Sequence, residues 1–591
     1  MMLFQPDTPL RPIRRLLIAN RGEIAVRIIR ACRDEGISPI TVYAGPDRDA
    51  LFVRMADEAY ALGGDRPADS YLDAARILRV ARDCGADAIH PGYGFLSERA
   101  DFARAVQAAG LIWIGPDPAV IEALGDKIAA RGIAASVGAP LVAGSPGPVE
   151  SGAEALAFAR AHGLPLAIKA AHGGGGRGLR VAWELDEVEE MFESARHEAE
   201  LAFGQGACFI EQFLDRPRHV EAQVLADRHG TVKVLGTRDC SMQRRNQKLI
   251  EEAPAPFLTD DQRKCIHDAA RDICAAAGYS GAGTVEFLLS ATGALSFLEV
   301  NTRLQVEHSV TEETTGIDIL RAMIRIAQGA RLMDDSVPDP RGHAIEFRIN
   351  AEDPGRGFLP TPGPITVWEA PSGPGVRVDS GVAAGSVVPG QFDSLMAKLI
   401  VTGATRDEAL ARAARALREF RIEGVASVLG FHRLALSAPD FRAEDGAFRV
   451  HTRWIETDFA ETLAAALPPQ DRVTPAEAPD LLRLPIEIDG RRHELGLPAT
   501  LLAGLAGAVP AVVAAPSAAV MEGAVTAPVA GTLVRWLVAP DAPVAEGEAV
   551  AVLEAMKMET RVTAPGAGRI ELLVEAGQTL PYGAVIARVR D

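Results

Sequence analysis

The chain has 591 residues, of which 48% are hydrophobic and 24% are charged, and this length and composition predict a globular protein of about four domains. Its formal net charge of −18 argues against nucleic acid or an anionic membrane as the main partner, although local clusters of lysine and arginine can still hold an anionic substrate. The six cysteines form no CxxC pair and no zinc-like spacing with histidine, which is typical of a reduced, cytoplasmic protein.

The first region, residues 14–124, alternates strand-like and helix-like stretches. Helices are predicted after Gly22 and over residues 72–84. Short strands are predicted at residues 16–19, 39–43, 86–90 and 111–115. This βαβ alternation predicts a Rossmann-like domain, in which helices cover a parallel sheet. No G-x-G-x-x-G follows the first strand, and no apolar stretch of the secretory type precedes it.

The second region, residues 125–335, contains a candidate phosphate-binding loop. A short apolar strand that includes Lys169 is followed by the glycine run 173–176. Because glycine has no Cβ, the backbone N–H groups of such a loop can close on phosphate oxygens, and the lysine adds a positive charge. A glycine-rich loop alone is often only a flexible connector, and the absence of G-K-[ST] excludes a P-loop. Its position between two strands resembles the lid of an ATP-grasp fold, here over about residues 140–212.

Carboxylates are concentrated further along the same region. Glu286 lies in an otherwise apolar strand, and residues 299–307 alternate polar with mostly apolar side chains. If that stretch is extended, one face carries five polar side chains: Glu299, Asn301, Arg303, Gln305 and Glu307. A solvated sheet face is the alternative interpretation. Glu286 and Glu299 suit Mg²⁺, which prefers a few carboxylates plus nucleotide phosphates, and Arg303 can bind a planar oxyanion.

The third region, residues 340–455, predicts a mixed α+β domain. Strands are expected at residues 344–349 and 396–402, and an amphipathic helix over residues 409–420. A linker is predicted over residues 456–523, with a short β segment at its centre. Its uncharged stretch 501–521 is rich in alanine, glycine, valine and proline, so we interpret it as extended and mobile rather than as a membrane span.

The last region, residues 524–591, repeats itself, since Thr526-Ala527-Pro528 returns as Thr563-Ala564-Pro565 at an offset of 37 residues. Two matching half-sheets that cannot each bury a face alone predict a small all-β flattened barrel. Lys557 then lies at a hairpin tip between two methionines. A lysine at such a tip is commonly solvated surface, but two large apolar neighbours need something to pack on or to recognise them.

Two sets of motifs resemble known families. The run 554–560 (EAMKMET) resembles the biotin attachment motif of biotin carboxyl carrier domains. Its methionines favour biotin over lipoate, which is carried on the same kind of barrel. Four further segments resemble biotin carboxylase over about residues 14–455: residues 18–25, 90–98, 238–245 and 297–303. Together they imply a ligase, the α subunit of an acyl-CoA carboxylase of the acetyl- or propionyl-CoA type.

The resemblance also implies the chemistry and the sites. In that family, ATP and bicarbonate give carboxyphosphate, whose CO₂ is captured by N1′ of biotin, here on Lys557. Glu307 matches the general base, and Arg348 matches the residue that stabilises the biotin enolate. Lys248 and Arg303 complete the catalytic set, and the bicarbonate pocket consists of Lys248, Arg303, Gln305 and Val306. The implied ligands of Mg²⁺ or Mn²⁺ are Glu286, Glu299 and Asn301. The implied ATP-binding residues are Lys127, Lys169, Gly173, Gly174, Gly175, Gly176, Glu211, Leu214, His219, Gln243 and Leu288.

The same resemblance implies partners. No segment resembles a carboxyltransferase, so a separate carboxyltransferase β subunit is expected to deliver the carboxyl group to an acyl-CoA. A biotin protein ligase is expected to modify Lys557, and the biotin carboxylase cores are expected to form a homo-oligomer within a hetero-oligomer. Residues 481–497 are a candidate docking segment for the β subunit. About 20 extended linker residues can span up to ~65 Å, enough for the carrier to visit two sites.

Three departures and two other interpretations accompany this assignment. Asn246 stands where many members have histidine, Phe392 replaces a frequent tyrosine, and the glycine run has four members where five are common. A non-catalytic carrier or scaffold with a nucleotide-sensing ATP-grasp region is one alternative, and the intact set of charged site residues argues against it. A different ATP-grasp ligase that carries lipoate is the other.

Overall fold

The computed structural model describes residues 3–6, 8–145, 147–170, 179–203, 206–333, 339–468, 481–488, 491–498, 523–529, 531–555 and 558–590. Three of the sequence-based predictions lie outside these residues: the glycine run 173–176, the uncharged stretch 501–521, and Lys557 with its neighbour Met556.

A five-stranded parallel sheet forms the N-terminal domain, in the order β3-β2-β1-β4-β5. The strands are β1 (Arg15–Ile18), β2 (Ser38–Tyr43), β3 (Glu58–Ala61), β4 (Ala88–His90) and β5 (Ile112–Trp113). The helices are α1 (Gly22–Asp34), α2 (Leu51–Met55), α3 (Ala74–Asp83) and α4 (Ala100–Ala108). The predicted Rossmann-like sheet is therefore confirmed. The sequence pattern missed β3, which contains no β-branched residue.

The next segment holds a three-stranded antiparallel sheet with helices beside it. The sheet has the order β7-β6-β8, with β6 (Leu166–Ala170), β7 (Leu179–Ala182) and β8 (Cys208–Gln212). The helices are α5 (Pro118–Gly125), α6 (Lys127–Ser136), α7 (Gly152–His162) and α8 (Val188–Phe203). Helices α7 and α8 bury small and aromatic side chains against this sheet.

An eight-stranded antiparallel sheet runs through the second and third regions, in the order β13-β12-β9-β10-β11-β14-β21-β19. Its strands are β9 (Arg218–Ala226), β10 (Val232–Arg244), β11 (Gln247–Ala253), β12 (Gly281–Leu289), β13 (Leu295–Asn301), β14 (His343–Asn350), β19 (Val376–Ser380) and β21 (Leu395–Gly403). Strand β11 pairs with β14, with Ile250 opposite Phe347, so the sheet continues across the predicted boundary between the two regions. Side chains from both regions therefore meet on one surface.

Helices and short strands complete this part of the fold. The helices are α9 (Asp260–Ala276), α10 (His308–Thr315), α11 (Ile319–Ala327), α12 (Arg406–Glu419), α13 (Leu429–Leu436), α14 (Pro439–Arg442) and α15 (Ala460–Ala466). The short strands are β15 (Glu352–Asp353), β16 (Leu359–Pro360), β17 (Gly363–Pro364), β18 (Val367–Glu369), β20 (Val387–Val388) and β22 (Arg421–Glu423). The predicted amphipathic helix is α12, and its buried face includes Ala409, Ala413 and Leu417.

The predicted linker begins later than the sequence indicated. Residues from 456 onward were expected to be linker, but they continue into α15, where Leu463 and Leu467 pack on the core of the third region. The alanine-rich composition of this stretch resembled a linker, yet alanine is also the best helix former. Strands β23 (Leu481–Ile488) and β24 (Arg491–Pro498) pair with each other as a hairpin at the predicted short β segment.

Two four-stranded sheets form the C-terminal domain, in the orders β25-β32-β30-β27 and β29-β28-β26-β31. The strands are β25 (Ala524–Thr526), β26 (Gly531–Trp536), β27 (Pro543–Val544), β28 (Ala549–Ala555), β29 (Met558–Thr563), β30 (Gly568–Leu572), β31 (Thr579–Leu580) and β32 (Val585–Arg590). Both sheets bury their apolar side chains in one shared core, which confirms the predicted flattened barrel. In the β28–β29 hairpin, Ala555 lies opposite Met558.

Within the described residues, every helix is too short or too polar to cross a membrane.

Candidate active site

The candidate site lies on one face of the eight-stranded sheet. Neighbouring strands supply Glu221 (β9), Lys248 (β11), Glu286 (β12) and Arg348 (β14). Glu307 comes from the turn that leads into α10. These residues lie far apart in the sequence, and the antiparallel pairing of their strands brings them together.

Lys248 is the cation at the centre of the site. Its Nζ donates to Glu307 Oε1 at 2.6 Å, to Glu221 Oε2 at 2.7 Å and to Glu286 Oε1 at 3.0 Å. Burial favours the neutral amine, but Cys240 and the three carboxylates outweigh this effect and raise the pKa of Lys248 well above its ordinary value. The lysine is therefore a fixed positive charge.

Glu307 lies between Lys248 and a second cation. Its Oε2 accepts a hydrogen bond from Arg348 at 2.9 Å, and its side chain is almost fully buried. Burial alone would raise the pKa of Glu307, but Lys248, Arg348 and Arg238 outweigh it and lower this pKa. On the other side, Arg348 Nε donates to Glu251 at 2.6 Å, so the guanidinium is held between two buried carboxylates.

Arg238 begins the motif at residues 238–245, but the sequence predicts no role for it. Its side chain is 0% exposed, and it donates to Glu221 and Gln223 at 2.6 Å each and to Gln305 at 3.0 Å. Two threonine hydroxyls accept its remaining hydrogen bonds. Arg238 therefore fixes the Gln305 carboxamide, whose NH₂ group donates to Glu286 at 2.8 Å.

The expected extended stretch 299–307 is corrected by the structure. Strand β13 ends at Asn301, and Arg303, Gln305 and Glu307 lie in the turn before α10. The polar side chains still converge, because Arg303 donates to Asn301 Oδ1 at 3.0 Å. Arg303 also donates to Glu98 at 2.9 Å, and this anchor from the N-terminal domain was not predicted.

Glu286 and Glu299 form a candidate cation site. They are direct neighbours across β12 and β13, and Asn301 Nδ2 donates to Glu286 at 2.9 Å. Burial and the adjacent Glu286 charge raise the pKa of Glu299, so a cation between the two carboxylates would relieve a real repulsion. The pair plus an amide oxygen is an oxygen donor set that suits Mg²⁺. His219 approaches Glu286 Oε2 at 3.1 Å from the opposite side.

The described nucleotide residues predicted from the resemblance lie on α6, on β6, β8, β9, β10 and β12, and just after β8. Lys169 of β6 and Arg131 of α6 both pair with Glu211 of β8. Gln243 Nε2 contacts His219 Nδ1 at 3.3 Å. Lys127 begins α6, Leu214 follows β8, and Leu288 lies in β12. The positive charge of Lys127 acts to lower the pKa of Glu299, which places α6 beside the carboxylate pair.

Two of the departures from the family pattern have a structural account. Arg245 and Asn246 form the two-residue turn between β10 and β11, with φ of 48° and 63°. Asparagine tolerates this left-handed conformation better than most residues, so Asn246 suits the turn. Phe392 is buried, with the Arg21 guanidinium 4.5 Å from its ring centroid and the Tyr71 ring edge-on at 5.4 Å.

Comparisons with known proteins define the class. Residues 12–121 match the family "Biotin carboxylase, N-terminal domain", and residues 346–457 match "Biotin carboxylase C-terminal domain". Residues 126–335 match "Carbamoyl-phosphate synthase L chain, ATP binding domain", and residues 523–589 match "Biotin-requiring enzyme". Two solved structures are similar over their whole length. The biotin carboxylase–β-γ-ATP complex from Campylobacter jejuni has a TM-score of 0.71 at 41% identity, and covers 75% of this chain and 99% of its own.

The second structure is the biotin carboxylase domain of Hydrogenobacter thermophilus 2-oxoglutarate carboxylase, in complex with MgADP, ADP and bicarbonate. It has a TM-score of 0.70 at 42% identity and covers 77% of this chain and 99% of its own. Among curated proteins, the biotin carboxylase of a Nostoc species is 50% identical over 429 residues, which is 72% of this chain and 96% of that protein. The chain belongs to the biotin carboxylase family.

One relative matches the whole chain. The biotin-dependent acyl-coenzyme A carboxylase alpha3 subunit of Mycobacterium leprae is 56% identical over 591 residues, which is 98% of this chain and 99% of the relative. The protein is an ATP-dependent biotin carboxylase subunit with a biotinyl domain on the same chain, and covalent biotin is its cofactor. The predictions of family, fold class and enzyme class are confirmed.

Proposed function

We propose that this protein is the α subunit of an acyl-CoA carboxylase, and that it carboxylates the biotin on its own Lys557. ATP and bicarbonate would give carboxyphosphate, and a separate carboxyltransferase β subunit would pass the carboxyl group to an acyl-CoA. The observation that carries the proposal is the buried Glu307 held between Lys248 and Arg348, beside a pair of carboxylates suited to Mg²⁺. The chemistry needs a base, cationic stabilisers and a metal–nucleotide site, and the residues on this face of the sheet support the proposal because their chemical types suit these three tasks.

Bicarbonate is a planar oxyanion, and four residues would hold it. Lys248 and Arg303 supply positive charge, Gln305 supplies an amide, and the turn at Val306 supplies backbone groups. Arg303 can present two parallel N–H groups to such an anion. Glu307, which ends this turn, removes the bicarbonate proton so that an oxygen can attack the γ-phosphorus of ATP.

The resting hydrogen bonds explain how Glu307 becomes a stronger base. In the free enzyme Lys248 donates directly to Glu307, which lowers the pKa of this carboxyl. When bicarbonate takes a share of the lysine's hydrogen bonds, this stabilisation of the carboxylate weakens, so its pKa rises. Substrate binding thereby increases the proton affinity of Glu307 at the moment when a proton must be accepted.

The remaining charged residues hold the other reactants. Glu286, Glu299 and Asn301 would hold Mg²⁺ or Mn²⁺, which neutralises phosphate charge when bound. Lys127, Lys169 and the glycine run 173–176 would bind the ATP phosphates, while Glu211, Leu214, His219, Gln243 and Leu288 would contact the rest of the nucleotide. Arg348 faces Glu307 and would stabilise negative charge on the ureido oxygen, since its guanidinium is fixed by Glu251.

Bicarbonate-dependent ATP hydrolysis by the purified protein tests this function. Glu307→Ala and Arg303→Ala are expected to abolish the bicarbonate-dependent rate. Arg449→Ala is the matched control, because Arg449 is half exposed and forms ion pairs with Asp440 and Asp445, which lie close to it in the third region. A non-catalytic, nucleotide-sensing scaffold would bind ATP but show no bicarbonate-dependent turnover in any of these proteins.

The partner is proposed from the domains that the chain contains. The four family models that match between residues 12 and 589 describe biotin carboxylase, ATP-binding and biotin-carrying domains, and this supports transfer by a separate β subunit. The β23–β24 hairpin is a candidate docking element. Deletion of residues 481–498 should abolish co-purification with the β subunit while ATP-dependent carboxylation of biotin is retained, and normal assembly of the deletion variant would contradict the assignment. A biotin protein ligase would attach biotin, and the carboxylase cores would associate as a homo-oligomer.

A further inference from the structure

Lys398 is a buried lysine that the family resemblance did not single out. It lies on β21, its side chain is 0% exposed, and its Nζ donates to two groups on the turn at the active site. The acceptors are the carbonyl oxygen of Val306 at 2.6 Å and Oγ of Ser309 at 2.7 Å. One acceptor comes directly before Glu307 and the other lies two residues after it. The lysine therefore holds a backbone carbonyl before the proposed base and a side-chain hydroxyl after it.

Two buried acidic side chains lie beside Lys398. Glu346 on β14 and Glu23 on α1 each lie 3.9 Å from its Nζ, and both are buried. Among the described residues, neither oxygen of Glu346 and only one oxygen of Glu23 has a hydrogen-bond partner. An ammonium ion buried this deeply needs such charges, and the carboxylates in turn need the ammonium. Strand β21 thus brings a lysine of the third region to the turn that contains Val306 and Glu307.

The hydrogen bond to Val306 has a direct geometric consequence. The peptide group between Val306 and Glu307 is planar, so fixing the carbonyl oxygen also fixes the N–H and the Cα of Glu307. Lys398 thus donates to the carbonyl group that directly precedes the proposed base.

We propose that Lys398 is a positioning residue for the bicarbonate pocket, which it holds through the Val306 carbonyl and Ser309. This inference rests on the proposed function, in which Val306 and Glu307 bind and deprotonate bicarbonate. Lys398 acts through the turn that carries Val306 and Glu307, so its loss should affect bicarbonate much more than ATP. A misplacement of about 1 Å typically costs about 10²-fold in rate. We therefore expect kcat/KM for bicarbonate to fall between about 10-fold and 10²-fold, with the KM for ATP within about twofold of wild type.

The test uses the full-length biotinylated protein and measures KM and kcat for bicarbonate and for ATP separately. Lys398→Met alone leaves the carboxyl groups of Glu23 and Glu346 without their neighbouring ammonium group, so Lys398→Met/Glu346→Gln is made beside it to remove one of these acids as well. Ser309→Ala removes one acceptor and is expected to raise the KM for bicarbonate by about fivefold, the effect of one hydrogen bond. Lys233→Met is the matched control, because Lys233 is also a buried lysine on the same sheet, opposite Leu225.

The outcomes separate this inference from the proposed function. Selective loss of bicarbonate kinetics in the double variant and in Ser309→Ala, with Lys233→Met unchanged, supports positioning by Lys398. A fall of less than about tenfold in kcat/KM for bicarbonate in the double variant overturns it, since a tenfold change is the least that the displaced turn predicts. An equal loss for ATP and bicarbonate also overturns it. If Glu307→Gln, assayed in parallel, keeps full activity, the proposed function itself fails.

Discussion

Replacement of Glu307 by glutamine separates the role of this residue as a base from its role in holding cations. The substitution keeps the size of the side chain and one oxygen. This oxygen can still accept the hydrogen bond from Lys248 Nζ, which lies 2.6 Å from Glu307 Oε1 in the native protein. It removes the negative charge and turns an NH₂ group toward Arg348, which donates to Glu307 at 2.9 Å in the native protein. Arg348 keeps Glu251 as a partner at 2.6 Å, so its guanidinium remains anchored.

The size of the effect follows from the lost chemistry. A positioned general base contributes about 10²–10⁴-fold to a rate, or about 3–5 kcal/mol of barrier. Glu251→Gln is the matched control. Glu251 is as buried as Glu307 and accepts a hydrogen bond from the same Arg348, but it lies on β11 and not in the turn that contains Glu307. Its loss weakens one hydrogen bond, which predicts a fall of only about fivefold.

The assay is the initial rate of bicarbonate-dependent ADP release at saturating ATP and Mg²⁺, for wild type and both variants. We expect Glu307→Gln to lose at least about 10²-fold and Glu251→Gln to lose less than about tenfold. Equal losses in the two variants would mean that both carboxylates act only by orienting Arg348. A Glu307→Gln rate within about tenfold of wild type would refute the assignment of the base.

Three further predictions concern charge and metal. Lys248→Met leaves three buried carboxylates without their shared cation, so we expect the free energy of unfolding to fall by about 3–5 kcal/mol. Urea unfolding measures this change, and an unchanged midpoint would contradict the prediction. Burial raises the pKa of Glu251 to about 7, although the charge of Arg348 opposes this shift. Between about pH 4.5 and pH 7 the Glu251 carboxyl therefore keeps its proton in the folded state and loses it in the unfolded state. Stability should therefore fall by up to about 3 kcal/mol as the pH rises from about 4.5 to about 7, and Glu251→Gln should flatten this part of the stability profile. Glu299→Gln should raise the Mg²⁺ concentration needed for half-maximal activity by at least about tenfold. In the wild-type protein, a chelator should abolish activity and added Mg²⁺ should restore it.

Local patterns predicted most of the fold. The βαβ rhythm of the first region and the internal repeat of the carrier each follow from short-range periodicity, and both architectures are present. The linker boundary was placed too early because an alanine-rich helix and an alanine-rich linker share a composition. Only the packing of Leu463 and Leu467 distinguishes the two.

The site was predicted as a set of residues rather than as a geometry. Alternation in residues 299–307 predicted that these side chains converge. Arg303 and Asn301 do meet, although the strand stops at Asn301, because the turn that follows directs Arg303 back to it. The supporting contacts could not be predicted from spacing. Glu98 lies 205 positions from its partner Arg303, and Lys398 lies 92 positions from Val306. Such pairs depend on how domains dock, which periodicity does not encode.

Transfer of label from bicarbonate to the biotinyl group tests the central claim most directly. The biotinylated chain is incubated with ¹⁴C-bicarbonate, ATP and Mg²⁺, separated rapidly from small molecules at neutral to mildly alkaline pH, and counted. We predict protein-bound label that requires ATP, is blocked by avidin, and is absent from Lys557→Arg and Glu307→Gln. Label that persists in Lys557→Arg, or that forms without ATP, would contradict the account.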